Sequence, residues 1–321
     1  MPATPRSRPF RIPIAIVALA LCGALGSCSG QPDHGGATDR RPGATAGDGA
    51  AVEATDDAGL TVSLPRPANR VISLVPSGTE TVIALGGVEM VVGRTRYDTD
   101  PTLAAIPEVG GGLDPSLEAI VALHPDLVLM WEGEGQSPLR GQLAGAGIPT
   151  FALQTTDTAD VFSSIQRLGH LLGRDAAADS IATAIRGQLD SISRSVASLP
   201  TPQVLYAVGV TPPMTAGEHT FVIELLGVAG GRSIFADLED GWPTISLEEI
   251  VRRDPEVVLL PVSADPATRL STLRGTAGWR DLPAVRAGRV ATVDADLVNR
   301  PGPRLGEAAA ALARAIHGQD R

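Results

Sequence analysis

The chain of 321 residues contains no lysine; all 26 of its basic residues are arginine. Cysteine is nearly absent too, with Cys22 and Cys28 close to the amino terminus and none after them. A disulfide framework, a thiolate metal site and a cysteine nucleophile are therefore excluded for the rest of the chain. Basic charge is scarce against 36 acids, the net charge is −10, and no arginine-rich run follows Arg41. A surface built to bind a phosphate backbone is not encoded. Without lysine the GxxxxGK phosphate loop of nucleotide hydrolases cannot be completed. Rings are few, with three Trp, two Tyr and five Phe, so each one placed in a loop raises the question of what it faces. What the chain does have is 43% hydrophobic residues over a length that fits one large or two ordinary domains.

The amino terminus reads as an address. Arg6, Arg8 and Arg11 precede an apolar run from Ile12 to Leu25, and small residues follow at once. This is the layout of an export signal peptide over residues 1–27. The run is short of the roughly twenty residues that span a bilayer as a helix. The tetrapeptide Leu25 to Cys28 (LGSC) resembles a bacterial lipobox, which implies cleavage before Cys28, lipidation of its thiol and anchorage on the outer face of the cytoplasmic membrane. Processing would leave 23 arginines against the same 36 acids, a net charge of −13. Residues 28–58 hold hardly a large apolar side chain, so they are expected to form the lipidated cysteine and a flexible tether.

Beyond the tether the chain repeats itself. Ser116 to Leu129 (SLEAIVALHPDLVL) recurs 130 residues later as Ser246 to Leu259 (SLEEIVRRDPEVVL), with eight of fourteen positions identical. Each copy reads as a short helix ended near a proline, then an apolar strand without alternation, the pattern of a strand buried on both faces of a parallel sheet. Val71 to Val75 reads as a strand running into Pro76 to Glu80, where Ser77 and Glu80 form a capping-box pattern. In the second half, Val204 to Val210 is a strand and Thr220 opens a helix. Between the halves, Thr158 to Leu199 contains no proline and has near-helical apolar spacing at Ile181, Ile185, Leu189, Ile192 and Val196. It predicts a helix from Ala159 to Leu172 and a long one from Asp175 to Ala197, which would reach roughly 35 Å at 1.5 Å per residue. The expected fold is α/β: two small lobes with mainly parallel sheets, at 59–157 and 200–321, joined through 158–199 by a single long backbone helix.

At this point the residues resemble a known family. Arg70 to Glu80 (RVISLVPSGTE), Val92 to Pro101 (VGRTRYDTDP), Pro107 to Gly110 (PEVG), the first repeat copy, Thr211 to Gly217 (TPPMTAG) and Arg300 to Leu305 (RPGPRL) are together similar to the Fe/cobalamin-type periplasmic binding proteins. The resemblance implies the solute-binding subunit of an ABC importer for cobalamin, haem or a ferric siderophore, with the ligand in a cleft between the lobes. It also implies binding without chemistry, and as partners a membrane permease and a separate ATPase, with the chain itself a monomer.

The resemblance places ligand-contacting side chains at Tyr97, Trp131, Met214 and Trp242, where aromatic and thioether faces would hold a flat macrocycle. Arg300 and Arg304 either reach polar groups of the ligand or tie the C-terminal helix to its lobe, with Arg300 the one assigned to the ligand; cobalamin is the first choice, with ferric siderophore or haem the alternatives. Met214 stands where an aromatic is common. Trp279 is expected to pack within its own lobe. Glu118 and Glu248, the equivalent acids of the two repeats, would favour their helix dipoles; the resemblance adds that the family presents one acid per lobe to permease arginines.

The histidines His34, His124, His170, His219 and His317 form no close cluster, so no resident metal is expected. His219 or Tyr97 would serve as an axial ligand only if the ligand is haem. A serine hydrolase using Ser77, His219 and Asp114 is a remote alternative, because Ser77 lacks the GxSxG elbow. A surface adhesion or signalling lipoprotein that has lost transport is a third reading.

Overall fold

The computed structural model describes residues 50–131, 133, 137–263 and 265–318. The expected signal peptide, Cys28 and His34 lie outside the described residues. The first described element is an antiparallel hairpin of β1 (Val52–Thr55) and β2 (Thr61–Leu64). This hairpin lies partly inside the stretch expected to be tether. The cause is polar: buried Asp56 accepts hydrogen bonds from Ala58 N, Leu60 N, Ala152 N and the Arg140 guanidinium. Arg167 adds a bond to the carbonyl of Thr55 and an ion pair to Asp57. A run without large apolar residues is here tied down by its aspartates.

The first lobe continues as β3 (Val71–Ser73), α1 (Pro76–Ala84), β4 (Val91–Gly93), α2 (Leu117–Ala122), β5 (Leu127–Trp131), α3 (Ser137–Gly145) and β6 (Thr150–Leu153). Its sheet has the order β4-β3-β5-β6 and every pair is parallel. The expected capping box does not form. Val75 is the N-cap of α1 and makes no side-chain cap, while Pro76 occupies the first turn. Proline there needs no hydrogen-bond partner for a missing N–H, so the helix can start without a serine cap. That leaves the Glu80 carboxylate free to bond elsewhere.

Two linking helices follow, α4 (Thr158–Leu171) and α5 (Asp175–Val196). Asp157 and Asp160 form a capping box at the start of α4. Helix α5 has 22 residues, about 33 Å at 1.5 Å per residue, and matches the expected backbone helix. The second lobe comprises β7 (Gln203–Val210), β8 (Pro213–Thr215), α6 (Phe221–Val228), β9 (Arg232–Ser233), α7 (Leu247–Arg253), β10 (Val257–Val262), α8 (Pro266–Gly275), α9 (Pro283–Arg286), β11 (Val290–Asp294), α10 (Ala295–Val298) and α11 (Leu305–His317). Its sheet runs β11-β10-β7-β8, with β9 also on β7; only β8 is antiparallel.

Side chains alternate across each strand, and both faces are covered. Val71, Leu127, Leu129 and Phe151 from the first lobe share one core with Val204, Tyr206, Val257 and Leu259 from the second, through Ile165, Ile185 and Leu312 of α4, α5 and α11. The alternate residues Ile72, Val128, Met130 and Ala152 build an outer core of the first lobe. Leu205, Ala207, Val258 and Leu260 do the same in the second, around Trp279. The linking helices are thus part of the common core, which joins the lobes by apolar packing as well as by chain. Glu224 of α6 adds a polar tie, accepting from Thr158 N at 2.9 Å and Thr158 Oγ1 at 2.5 Å at the start of α4.

Candidate functional site

Ligands of parallel α/β sheets bind beyond the carboxyl ends of the strands. There the first lobe exposes two of its aromatic rings. Trp131 is the last residue of β5 and is 44% exposed; Tyr97, in the loop after β4, is 53% exposed. Both line one cavity of about 380 Å³ with Leu74, Pro76, Leu113 and Asp114. Gly112 is in its wall because a Cβ there would stand 2.5 Å from the carbonyl oxygen of Leu74.

The loop that carries Tyr97 is braced by a buried carboxylate. Asp98 Oδ2 accepts from Thr95 N and Thr95 Oγ1, both at 2.7 Å, and Thr95 Oγ1 accepts in turn from Tyr97 N at 3.2 Å. Arg96 lies over the Tyr97 ring, 5.7 Å from its centroid, and forks onto Asp114 at 3.1 and 2.8 Å. The fork holds the Asp114 carboxyl below the usual carboxylate range. Neither Thr95 nor Asp98 was anticipated; the motif TRYD carries no signal that separates a loop brace from an ordinary turn.

In the second lobe the segments that carry Met214 and Trp242 are joined by a strand pairing that the sequence did not announce. Met214, half-buried in β8, bridges to Thr244, and Thr215 N donates to Pro243 O at 3.2 Å. Gly217 N donates to Gly241 O at 2.8 Å, and a Cβ on Gly217 would come within 1.9 Å of the Asp240 carbonyl oxygen. Only glycine allows the 238–242 loop to close on β8, so the TAG sequence sets the position of Trp242, which is 41% exposed. Trp279 is buried in its own lobe, and its indole N–H donates to Val210 O at 3.1 Å.

Arg300 is engaged by the protein itself. Its guanidinium is turned into the protein, donating to Glu80 Oε1 at 3.1 Å and to the Tyr97 carbonyl at 3.0 Å, with Asp296 Oδ2 at 2.9 Å. Arg304 joins it, forking onto Glu80 at 3.0 and 2.8 Å, and this fork raises the affinity of Arg304 for its proton. The three side chains also line a larger cavity, about 660 Å³, with Ile83, Ile185 and Asp100. None of Tyr97, Trp131, Met214 or Trp242 belongs to that cavity.

Glu118 and Glu248 stand in the first turns of α2 and α7, both exposed, and neither is ion-paired among the described residues. The adjacent Glu249, by contrast, is taken up by Arg252 and Arg253. His219 is exposed. Among the described residues no group of three or more His, Cys, Asp or Glu is arranged to hold a metal ion, and no hydrogen bond joins Ser77 to His219, while Asp114 is engaged by Arg96. No helix of the described residues is long and apolar enough to cross a membrane.

Exposed rings at strand ends and a pair of lobes sharing one core are the arrangement of a solute-binding device. The class is a bilobed solute-binding protein. The chain belongs to the periplasmic binding protein family, whose pattern matches residues 71–297. It is a binding protein of ABC transporter type, not an enzyme. It is 31% identical over 263 residues to an uncharacterized ABC transporter substrate-binding lipoprotein, YvrC, of Bacillus subtilis, covering 80% of this chain and 82% of that one. It is 33% identical over 273 residues to a cobalamin-binding protein of Halobacterium salinarum, covering 82% and 73%. Among solved structures, a periplasmic heme binding protein from Pseudomonas aeruginosa superimposes with a TM-score of 0.69 and 30% identity, over 78% of this chain and 93% of that one.

Proposed function

We propose that this chain captures a metal-chelate nutrient of the corrinoid class, cobalamin first, and hands it to an ABC permease. The observation that carries this reading is the pair of exposed rings, Tyr97 and Trp131, around one cavity at the strand ends of the first lobe. Trp242 and Met214 of the second lobe would supply the opposing aromatic and thioether faces. The identity to a cobalamin-binding protein supports the same ligand. In this reading Glu118 and Glu248 dock the permease, one from each lobe, and with neither ion-paired among the described residues both charges are available. Cys28 carries the lipid anchor, and the name of the Bacillus relative supports that assignment.

The test is titration of the full chain with cyanocobalamin, haemin and a ferric hydroxamate while tryptophan fluorescence is followed. Saturable quenching by cyanocobalamin is the expected result. Saturation by haemin alone, with a Soret shift lost in Tyr97→Phe or His219→Ala, would assign haem instead.

A further inference from the structure

The Glu80, Arg300 and Arg304 cluster joins residues 220 and 224 positions apart in sequence and belongs to different lobes. Glu80 is on α1 of the first lobe. Arg300 and Arg304 bracket the Pro301-Gly302-Pro303 turn between α10 and α11 of the second. The turn is anchored in its own lobe, because the hydroxyl of buried Tyr206 donates to Asn299 Oδ1 at 2.6 Å, one residue ahead of Arg300. Arg304 Nη2 also donates to the Asp296 carbonyl at 2.9 Å. The side chains of Glu80 and Arg300 are only 18% and 15% exposed, so water competes little for these charges. Two acids, Glu80 and Asp296, face two arginines, which leaves neither sign uncompensated.

Within this cluster the two arginines differ in one respect. Among the described residues Arg304 bonds to Glu80 and to its own lobe. Arg300 alone continues across, through Nη2, to the backbone carbonyl of Tyr97. The Thr95 and Asp98 brace fixes the loop on the amide side of Tyr97; Arg300 fixes the carbonyl side, and does so from the other lobe.

We propose that Arg300 is a positioning residue for ligand capture: held by Glu80 and Asp296, it fixes from the second lobe the backbone of the loop that presents Tyr97 to the ligand. This rests on the reading of Tyr97 as a ligand-contacting side chain. Its consequence is that lobe arrangement and ring position are coupled. Any displacement that separates the RPGPR turn from α1 also releases Tyr97, without Arg300 touching the ligand.

Two measurements on the full chain test this. The first needs no ligand. In Arg300→Met, hydrogen exchange of the 96–99 amides should rise about tenfold or more, the equivalent of one lost charge-assisted hydrogen bond, while Arg304→Met should move them by less than about threefold. Unchanged exchange in Arg300→Met overturns the proposal whatever the ligand. The second is titration with cyanocobalamin. Arg300→Met should weaken binding by about tenfold, and should change it less than about twofold when Tyr97 is already alanine, since a residue acting through another loses its effect with it. Losses that multiply across the two substitutions would place Arg300 on the ligand and overturn the positioning role. Should Arg300→Met fail to fold, Arg300→Lys keeps the charge beside Glu80, but a single ammonium cannot reproduce the fork that spans Glu80, Asp296 and Tyr97. It should show the same non-additivity with Tyr97→Ala, and additive losses there count equally against the proposal. If the wild-type chain binds neither cyanocobalamin nor haemin, the ligand reading fails, and the exchange result by itself decides whether Arg300 holds the loop.

Discussion

The two copies of the Ser-Leu-Glu repeat hold the same scaffold and end in different surfaces. In each, a serine caps a short helix, Ser116 on Ala119 N and Ser246 on Glu249 N, at 3.2 and 3.1 Å. A buried isoleucine, Ile120 or Ile250, seats the helix. His124 and Asp254 then turn the chain with φ of 47° and 44°, and a central parallel strand follows. The first copy's strand stops at Trp131 and points an aromatic ring outward. The second runs on to Val262 with no aromatic, and its lobe obtains an exposed ring from the 238–242 loop stitched onto β8. The shared repeat accounts for the matched helices, strands and glutamates; the exposed rings come from devices that differ between the lobes.

The largest expected effect would break the matched pair. Glu118→Arg with Glu248→Arg should abolish uptake in cells while cyanocobalamin binding by the purified chain stays within about twofold, because both carboxylates are exposed and, among the described residues, unpaired. Weakened ligand binding in the double variant would instead assign the pair to the solute site.

A second effect separates the tryptophans by their surroundings. Trp279 is 1% exposed and makes a buried hydrogen bond, so Trp279→Ala should cost roughly 3–5 kcal/mol of folding stability in denaturant unfolding. Trp131→Ala should cost less than about 0.5 kcal/mol of stability, yet weaken cyanocobalamin binding by about 2 kcal/mol, close to thirtyfold. A large stability loss in Trp131→Ala would show that the ring packs its own lobe.

The scaffold was legible because its signals are local. Proline positions, apolar runs and the repeat predict the α/β lobes, and the near-helical spacing from Ile181 to Val196 predicts α5 to within a residue. Tyr97 and Trp131 were singled out by the family resemblance, and both rings stand exposed, Trp131 as the last residue of β5 and Tyr97 in the loop after β4. What escaped were contacts between residues far apart in sequence. Ser77 and Glu80 fit a capping box locally, and nothing in that stretch signals that Glu80 bonds arginines more than two hundred positions later. The same limit hid the ordering of residues 52–58, where Asp56 is held by Ala152 and Arg140 rather than by its neighbours alone.

The smallest expected effect returns to the two copies. Both serine caps satisfy one amide, so each serine-to-alanine change removes the same bond. The helices they start are not equally supported. Helix α2 has one acid, Glu118, in its first turn, no basic residue in its last, and otherwise its serine cap and Ile120. Helix α7 has Glu248 and Glu249 in its first turn and Arg252 and Arg253 in its last, an arrangement that complements its dipole at both ends. Glu249 pairs with both arginines, and Arg253 reaches further to Asp237 and to the Ile234 carbonyl. Ser116→Ala should therefore destabilise the protein by about 1 kcal/mol, and Ser246→Ala by a few tenths, measured as the shift in urea midpoint at unchanged slope. Equal losses would mean that the ion pairs of α7 add nothing to its start, and that the two copies, for all their different surfaces, are energetically the same helix.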